Sequence, residues 1–351
     1  MNSYLENLDE TIKDYFKILS DEFPQFLLEY INTPAMQKQA GISVTCGTIY
    51  SKMYDQMWYS SLDHSVAVAL IIWKFTKDKK QTLSGLFHDI ATPVFKHTID
   101  FMNKDYEKQE STEEATTKII VESKEIMDLL NRDNISVDEV CDYHIYPIAD
   151  NDTPKLSSDR LEYTLTNALG VTETIWGLDD IKEIYNNIEV GKNEDGIDEL
   201  CFKDIEVAEK FVHTMSMLSK LYRREKTVFS MQFLADIMKK MSNKNLIFID
   251  DLYELSEKEI IEKIENCNED NISKCFNAWK NASDINTSEE KPQNRYYVSI
   301  EKMKVRYINP LVKTENGLER AYDISESVKK DIESALNYKT AKYTYLDYDF
   351  F

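Results

Sequence analysis

Apolar residues recur at helical spacing over most of this chain. Leu5, Leu8, Ile12, Tyr15, Phe16 and Leu19 fall on one face, predicting one or two amphipathic helices within residues 1–30. Pro34 and Gly41 break that pattern, and ISVTCGTIY (42–50) reads as a short extended segment. Val68, Ile71, Ile72 and Phe75 then mark a largely apolar, buried helix over Asp63 to Phe75. Leu83, Leu86, Phe87 and Ile90 mark a second over Gln81 to Ile90, whose last turn carries His88 and Asp89 before Pro93 stops it. Helical patterns follow over Tyr106 to Leu130, around Leu161, Leu165, Ala168 and Leu169 up to Gly170, over Asp204 to Met241, and over Ile247 to Lys280. Two short alternating runs between Asn187 and Lys203, turning at Asp195-Gly196, predict a hairpin. After a polar connector (283–294), RYYVSIEKMKVRYINPLV (295–312) alternates as strands do around Val298, Ile300, Val305 and Tyr307. Gly317 closes a turn before a helix begun by Ser325 or Ser327, and the aromatic tail KYTYLDYDFF reads as a strand or as a surface docking on the body or on a second subunit of a homo-oligomer. The pattern predicts a mainly α fold: a helical core over 1–283 with a small β-hairpin insertion, then a small α+β piece over 284–351.

Charge narrows the partners. With 42 Lys+Arg against 63 Asp+Glu, the net charge of −21 repels a nucleic-acid backbone and argues against binding a duplex. A small anionic substrate stays compatible, because a cation and a few convergent basic groups set the field inside a pocket; the candidates are Lys155, Arg160, Arg223, Arg224 and Lys226. Five cysteines with no CxxC spacing suit a reducing compartment. The N-terminus has no basic region followed by an apolar run, and the most apolar stretch, Val66 to Trp73, is far short of a membrane span, so a cytoplasmic, membrane-free protein is expected.

Three of the five histidines, His64, His88 and His97, lie between Met57 and Phe101. Two imidazoles on successive apolar helices, the second followed by a carboxylate, suit a divalent metal held between helices, since burying an unpaired carboxylate is costly and a cation removes the penalty. The alternative is that each is a hydrogen-bonded core histidine.

The order His64, then His88-Asp89, then a distant Asp159 in KLSSDRLEYTLTNAL resembles the HD-domain metal-dependent phosphohydrolases. The resemblance implies His64, His88, Asp89 and Asp159 as ligands of one divalent ion, with Mn, Mg, Fe, Co, Ni and Zn left open. HDIATPVFKHTID and Asp159-Arg160-Leu161-Glu162-Tyr163 resemble the deoxynucleoside triphosphate triphosphohydrolase branch more closely. By that likeness His97, Asp100 and Glu110 would handle protons, Arg160 would touch phosphate, and Tyr163 and Asn167 the sugar; Lys155, which occupies no position of the family pattern, is a further phosphate candidate on charge alone. The chain departs from the branch where Ser61 stands for an Arg, Thr92 for a second His, Lys96 for a Ser, and Gln109-Glu110 for a His-Glu pair. The expectation is hydrolysis of a phosphate ester or anhydride on a small phosphorylated substrate such as a nucleotide, with fewer phosphates than a triphosphate. The rival is a non-catalytic nucleotide-binding or regulatory protein that keeps its metal. His144 reads as a tethered loop residue or as a ligand of a second metal.

Overall fold

A computed structural model describes residues 4–107, 115–300 and 302–348. Helices dominate. The N-terminal face is built from α1 (Glu10–Leu19), α2 (Gln25–Ile31) and α3 (Pro34–Gln37), followed by the helix pair α4 (Ser61–Thr76) and α5 (Lys79–Phe87). Then come α6 (Thr98–Asn103), α7 (Thr116–Glu122), α8 (Lys124–Arg132), α9 (Ser158–Thr166) and α10 (Leu178–Asn186). The long pair α11 (Ile205–Arg223) and α12 (Glu225–Asn243) precedes α13 (Asp251–Glu254), α14 (Glu257–Glu265) and α15 (Asp270–Asn281), and the chain finishes with α16 (Ala321–Ile324) and α17 (Glu326–Leu336). No helix among the described residues is long and apolar enough to cross a membrane.

The hairpin is β1 (Ile188–Lys192) and β2 (Asp198–Phe202), with Gly196 left-handed at its turn. It is half of a four-stranded sheet of order β1-β2-β4-β5: β4 (Leu311–Thr314) pairs parallel with β2, Cys201 opposite Leu311, and antiparallel with β5 (Gly317–Arg320). The tail strand β6 (Tyr343–Tyr345) pairs antiparallel with β3 (Asn286–Ser288). Residues after 283 thus join the hairpin through β4, and Val298 and Leu346 pack in one apolar cluster with α12, α14 and α15.

Three local readings differ from the pattern. ISVTCGTIY is not a strand, because Cys46 and Gly47 are consecutive left-handed residues that turn the chain; only Ser43 bridges, to Ser60. Residues 295–310 alternate, but among the described residues of that stretch the one pairing is a bridge from Val298 to Thr344. The helix expected to Leu130 divides at Ser123, whose side chain caps α8.

Among the described residues two large apolar clusters hold the body, beside a small third one of Val68, Ile72 and Ala149. One gathers α1, α2, α4, α5 and α9 to α11; the other gathers α12, α14 and α15 with Val94, Phe95, Ile99 and Phe101. α4 is apolar on every side and buried from Ser61 to Ile72, so its one imidazole, His64, is enclosed from the start.

Candidate metal centre

Local chemistry sets the position of each polar side chain. Ser60 and Asp63 form a reciprocal cap at the start of α4, with Tyr4 Oη donating to the other Asp63 oxygen at 2.6 Å, which fixes His64 in the first turn. α4 ends at left-handed Lys77, and Asp78 caps α5 by accepting from the amides of Lys80 and Gln81. A Cβ on Gly85 would overlap Cδ1 of Ile72, so glycine there lets α5 lie close against α4. The helix closes at Phe87, and His88 and Asp89 sit just beyond it rather than in its last turn. Ser157 caps α9 and sets Asp159 in its first turn.

These elements bring His64, His88 and Asp89 together so that one donor atom from each lies within 4.8 Å of the others, an arrangement that could hold a metal ion. The two Nε2 atoms are 3.2 Å apart, and Asp89 Oδ2 is 3.9 Å from that of His64 and 3.8 Å from that of His88. Asp159 Oδ1 is 3.1 Å from His64 Nε2 and 3.7 Å from His88 Nε2. Adjacent donors about 2.0–2.2 Å from one ion stand about 2.8–3.6 Å apart, so these spacings fit a shared cation to within a few tenths of an ångström.

Tautomers point the same way. His88 Nδ1 lies 2.7 Å from the Gly85 carbonyl, which can only accept, so Nδ1 carries the proton and Nε2 the lone pair. His64 Nδ1 donates to Glu162, a fully buried carboxylate that also accepts from Tyr59 Oη at 2.8 Å and Tyr15 Oη at 3.4 Å. Two lone pairs face to face repel unless a proton or a cation sits between them. Burial would lower the pKa of His64, but Glu162 and Asp159 outweigh it and push it up to about 10, so without an ion a proton takes that place. Burial works against the charges of Asp89 and Asp159 too, yet Lys96 with the histidines for the first, and His64 with His88 for the second, hold both carboxyls below their ordinary range.

The cluster opens into a cavity of about 480 Å³. Its lining inverts the charge balance of the chain: six Lys or Arg face four Asp, together with four of the five histidines. His97 Nδ1 donates to the buried Asp100 at 2.9 Å, and burial lowers its pKa. Lys96, in a left-handed turn with Phe95, places Nζ 2.5 Å from Asp89 Oδ2. Tyr163 and Asn167 line the cavity, and His144 does so while tied to Asp142 at 3.0 Å and facing Asp150 at 3.4 Å.

Other expected residues are placed differently. Lys155 pairs with Asp195 of the hairpin turn at 3.4 Å and does not line the cavity. Arg160 lines it, but its guanidinium is held by Asp150 at 3.1 Å, by Asn151 and by Ser157. Arg223 donates to the Ala335 carbonyl, Arg224 stacks on Tyr54, and Lys226 donates to the Met53 carbonyl. Ser61 Oγ lies 3.3 Å from Asp89, and the Thr92 carbonyl accepts from Lys38. Gln109 and Glu110 lie outside the described residues. Glu162 and Arg306 were not singled out by sequence as the partner of His64 and as a cavity cation; the signal for Glu162 was a carboxylate three residues after Asp159, on the same helical face.

No protein-family model matches the chain. It is 22% identical over 289 residues to YdhJ of Bacillus subtilis, an uncharacterized protein, spanning 80% of this chain and 82% of that one. It is 27% identical over 218 residues to an uncharacterized protein of Mycoplasma genitalium, spanning 54% of this chain and 49% of that one. A hypothetical protein of Aquifex aeolicus superposes with a TM-score of 0.63 at 17% identity, covering 93% of both chains. A phosphohydrolase of Bacteroides thetaiotaomicron superposes with a TM-score of 0.65 at 15% identity, covering 93% of this chain and 97% of that one. At such identities the likeness is one of fold, and it extends over nearly the whole chain.

Proposed function

We propose that this chain is a metal-dependent phosphohydrolase of the HD-domain kind, cleaving a phosphate ester or anhydride on a small phosphorylated substrate, with nucleotides the first class to test. The observation that carries the reading is the pair of imidazole Nε2 atoms 3.2 Å apart, each with its Nδ1 proton committed elsewhere and each within 4 Å of both Asp89 and Asp159. The fold shared with the Bacteroides phosphohydrolase supports it.

His64, His88, Asp89 and Asp159 would hold the ion. When bound, a divalent ion supplies Lewis acidity towards a phosphoryl oxygen and a water of lowered pKa. His97 is suited to proton transfer: Asp100 fixes the proton on Nδ1, Nε2 keeps the lone pair, and the lowered pKa leaves the ring neutral near pH 7. Glu110 keeps the same role on resemblance alone. Tyr163 and Asn167 on the cavity wall would face the sugar of a nucleotide.

Lys96 favours a second reading. An ammonium 2.5 Å from Asp89 Oδ2 competes with a cation for that oxygen, and a chain in which it prevails would bind nucleotides without turnover. Metal analysis of purified protein and a phosphate-release screen over mono-, di- and triphosphates with Mn or Mg separate the two. The hydrolase reading expects about one divalent ion per chain, orthophosphate or nucleoside release from substrates with fewer than three phosphates, and loss of both metal and activity in the His88→Ala, Asp159→Ala double variant. Metal content unchanged in that variant would overturn the site. Rapid tripolyphosphate release from a deoxynucleoside triphosphate would show that Ser61 and Thr92 do not restrict phosphate number.

A further inference from the structure

We propose that Gln56 reads the edge of a nucleobase in the cavity, which makes the substrate a nucleotide; this rests on the hydrolase reading for the reaction but not for its test. The wall that carries Gln56 begins in the 42–50 segment. Cys46 and Gly47 are left-handed in succession, with φ of 56° and 80°, and they turn the chain so that Val44, Thr45, Cys46 and Thr48 line the cavity together with Gln56. A Cβ on Gly47 would overlap the Phe95 ring, so glycine lets this turn pack directly against the one carrying Lys96 and His97.

Thr48 sets the direction of the Gln56 amide. Its Oγ1 lies 2.7 Å from the Thr45 carbonyl and 2.8 Å from Oε1 of Gln56, but a hydroxyl carries a single proton. The Thr45 carbonyl can only accept, so it takes that proton. A second acceptor facing Thr48 would be repelled, whereas the amide, whose two ends have nearly the same shape, relieves the conflict by turning its nitrogen towards Thr48. One N–H is then committed, and the oxygen and the second N–H of this half-buried side chain have no protein partner among the described residues. A donor and an acceptor side by side on a fixed planar group match the adjacent acceptor and donor on a nucleobase edge, as when glutamine pairs with adenine. Position agrees with this. The Met57 amide donates to the Gly170 carbonyl at 2.9 Å, which fastens Gln56 beside the C-terminal end of α9, while Asp159 stands in the first turn of that helix. From Asp159 to Asn167 the helix rises about 12 Å, more than a phosphate covers by itself. Phosphate at Asp159, sugar at Tyr163 and Asn167, and base at Gln56 would follow one another along a single wall.

The test uses the full chain loaded with Mn, and reads calorimetric binding of AMP, GMP, CMP and UMP against ribose 5-phosphate, each as the phosphonate whose P–C bond resists hydrolysis. The parent is expected to bind at least one nucleotide more tightly than the sugar phosphate. Gln56→Leu should weaken that nucleotide roughly 5- to 100-fold, the range for two neutral hydrogen bonds, at unchanged metal content and unchanged affinity for ribose 5-phosphate. Thr48→Val, which removes the hydroxyl that aims the amide, should lose several-fold, and Lys52→Gln, exposed on the same segment and off the cavity wall, should match the parent. A parent that binds no nucleotide better than ribose 5-phosphate, a preference that survives Gln56→Leu, or an equal loss of nucleotide and sugar phosphate in that variant would overturn the proposal. A preference that depends on Gln56, with no turnover of any phosphate substrate, would instead leave it standing and refute hydrolysis.

Discussion

Glu162 offers the sharpest check on the claim that the histidines are arranged for a cation. It is fully buried and accepts three donors: His64 Nδ1, Tyr59 Oη at 2.8 Å and Tyr15 Oη at 3.4 Å. In Glu162→Gln the amide oxygen can still receive His64, because the two hydroxyls can accept as well as donate and the amide nitrogen can turn to them. The tautomer survives and the charge does not. Partners behind a ligating imidazole change metal affinity by about 10- to 100-fold, and keeping the tautomer places Gln near the lower end. Glu162→Leu removes both and orphans three buried donors at about 1–3 kcal/mol each, so it should lose metal and much of its stability. Tyr59→Phe touches the same carboxylate without touching the imidazole. Titration of chelator-stripped protein with Mn or Zn, alongside thermal unfolding, should rank Kd as parent, close to Tyr59→Phe, then Gln, then Leu. Identical metal affinity in the parent and Glu162→Gln, or an equal loss in Tyr59→Phe, would refute the reasoning, since Glu162 would then be only a core polar group.

Two further outcomes follow from buried charges. Arg160→Ala leaves the buried Asp150 without its guanidinium and should cost about 3 kcal/mol in unfolding free energy, read by denaturant titration; a KM change at unchanged stability would mean that the side chain reaches substrate instead. Burial lifts Glu257 from 4.5 to about 8, against the amides of Ser43 and Phe95 and the Tyr50 hydroxyl turned towards it, none of which closes a well-formed hydrogen bond. Because the folded pKa is the higher one, its contribution is complete below pH 4.5 and is lost as pH rises towards 8, on the order of 4 kcal/mol; Glu257→Gln should flatten the fall in stability over that window, and an unchanged slope would show the carboxyl to be ionised when folded.

The sequence made the candidate metal donors legible as a group because each is a polar residue interrupting a strong local pattern: His64 opens an apolar helix, His88-Asp89 follows the end of another, and Asp159 follows a serine cap. Periodicity is a local signal, and it failed where partners are distant. Residues 295–310 alternate like a strand, but a strand exists only if another edge accepts it, and among the described residues Val298 alone finds one. Read as a strand, Arg306 would have been a surface charge. Lys155 and Arg160 sit in the right stretch, yet their directions are set by Asp195 of the hairpin and by Asp150 and Asn151 of the preceding loop, which no spacing rule encodes. In the 42–50 segment the local signal was present, since Gly47 follows Cys46 and both are left-handed, but a run of β-branched residues outweighed it.

The same distinction explains why the site lies where it does. The candidate donors His64, His88, Asp89 and Asp159 belong to elements of the first apolar cluster, whereas the turn carrying Lys96 and His97 is flanked by Val94, Phe95 and Ile99 of the second. A cavity at the seam of two cores can be lined with charge without opening either one, and each wall can be fixed by its own packing. Asp89 and Asp159 come from the first side together with Arg160, and Lys96 from the second. An anionic substrate of the proposed kind would need a cation at the carboxylate-histidine cluster and the basic residues elsewhere on the lining to offset its charge, which gives an acidic chain a physical reason to gather six basic residues around that cluster.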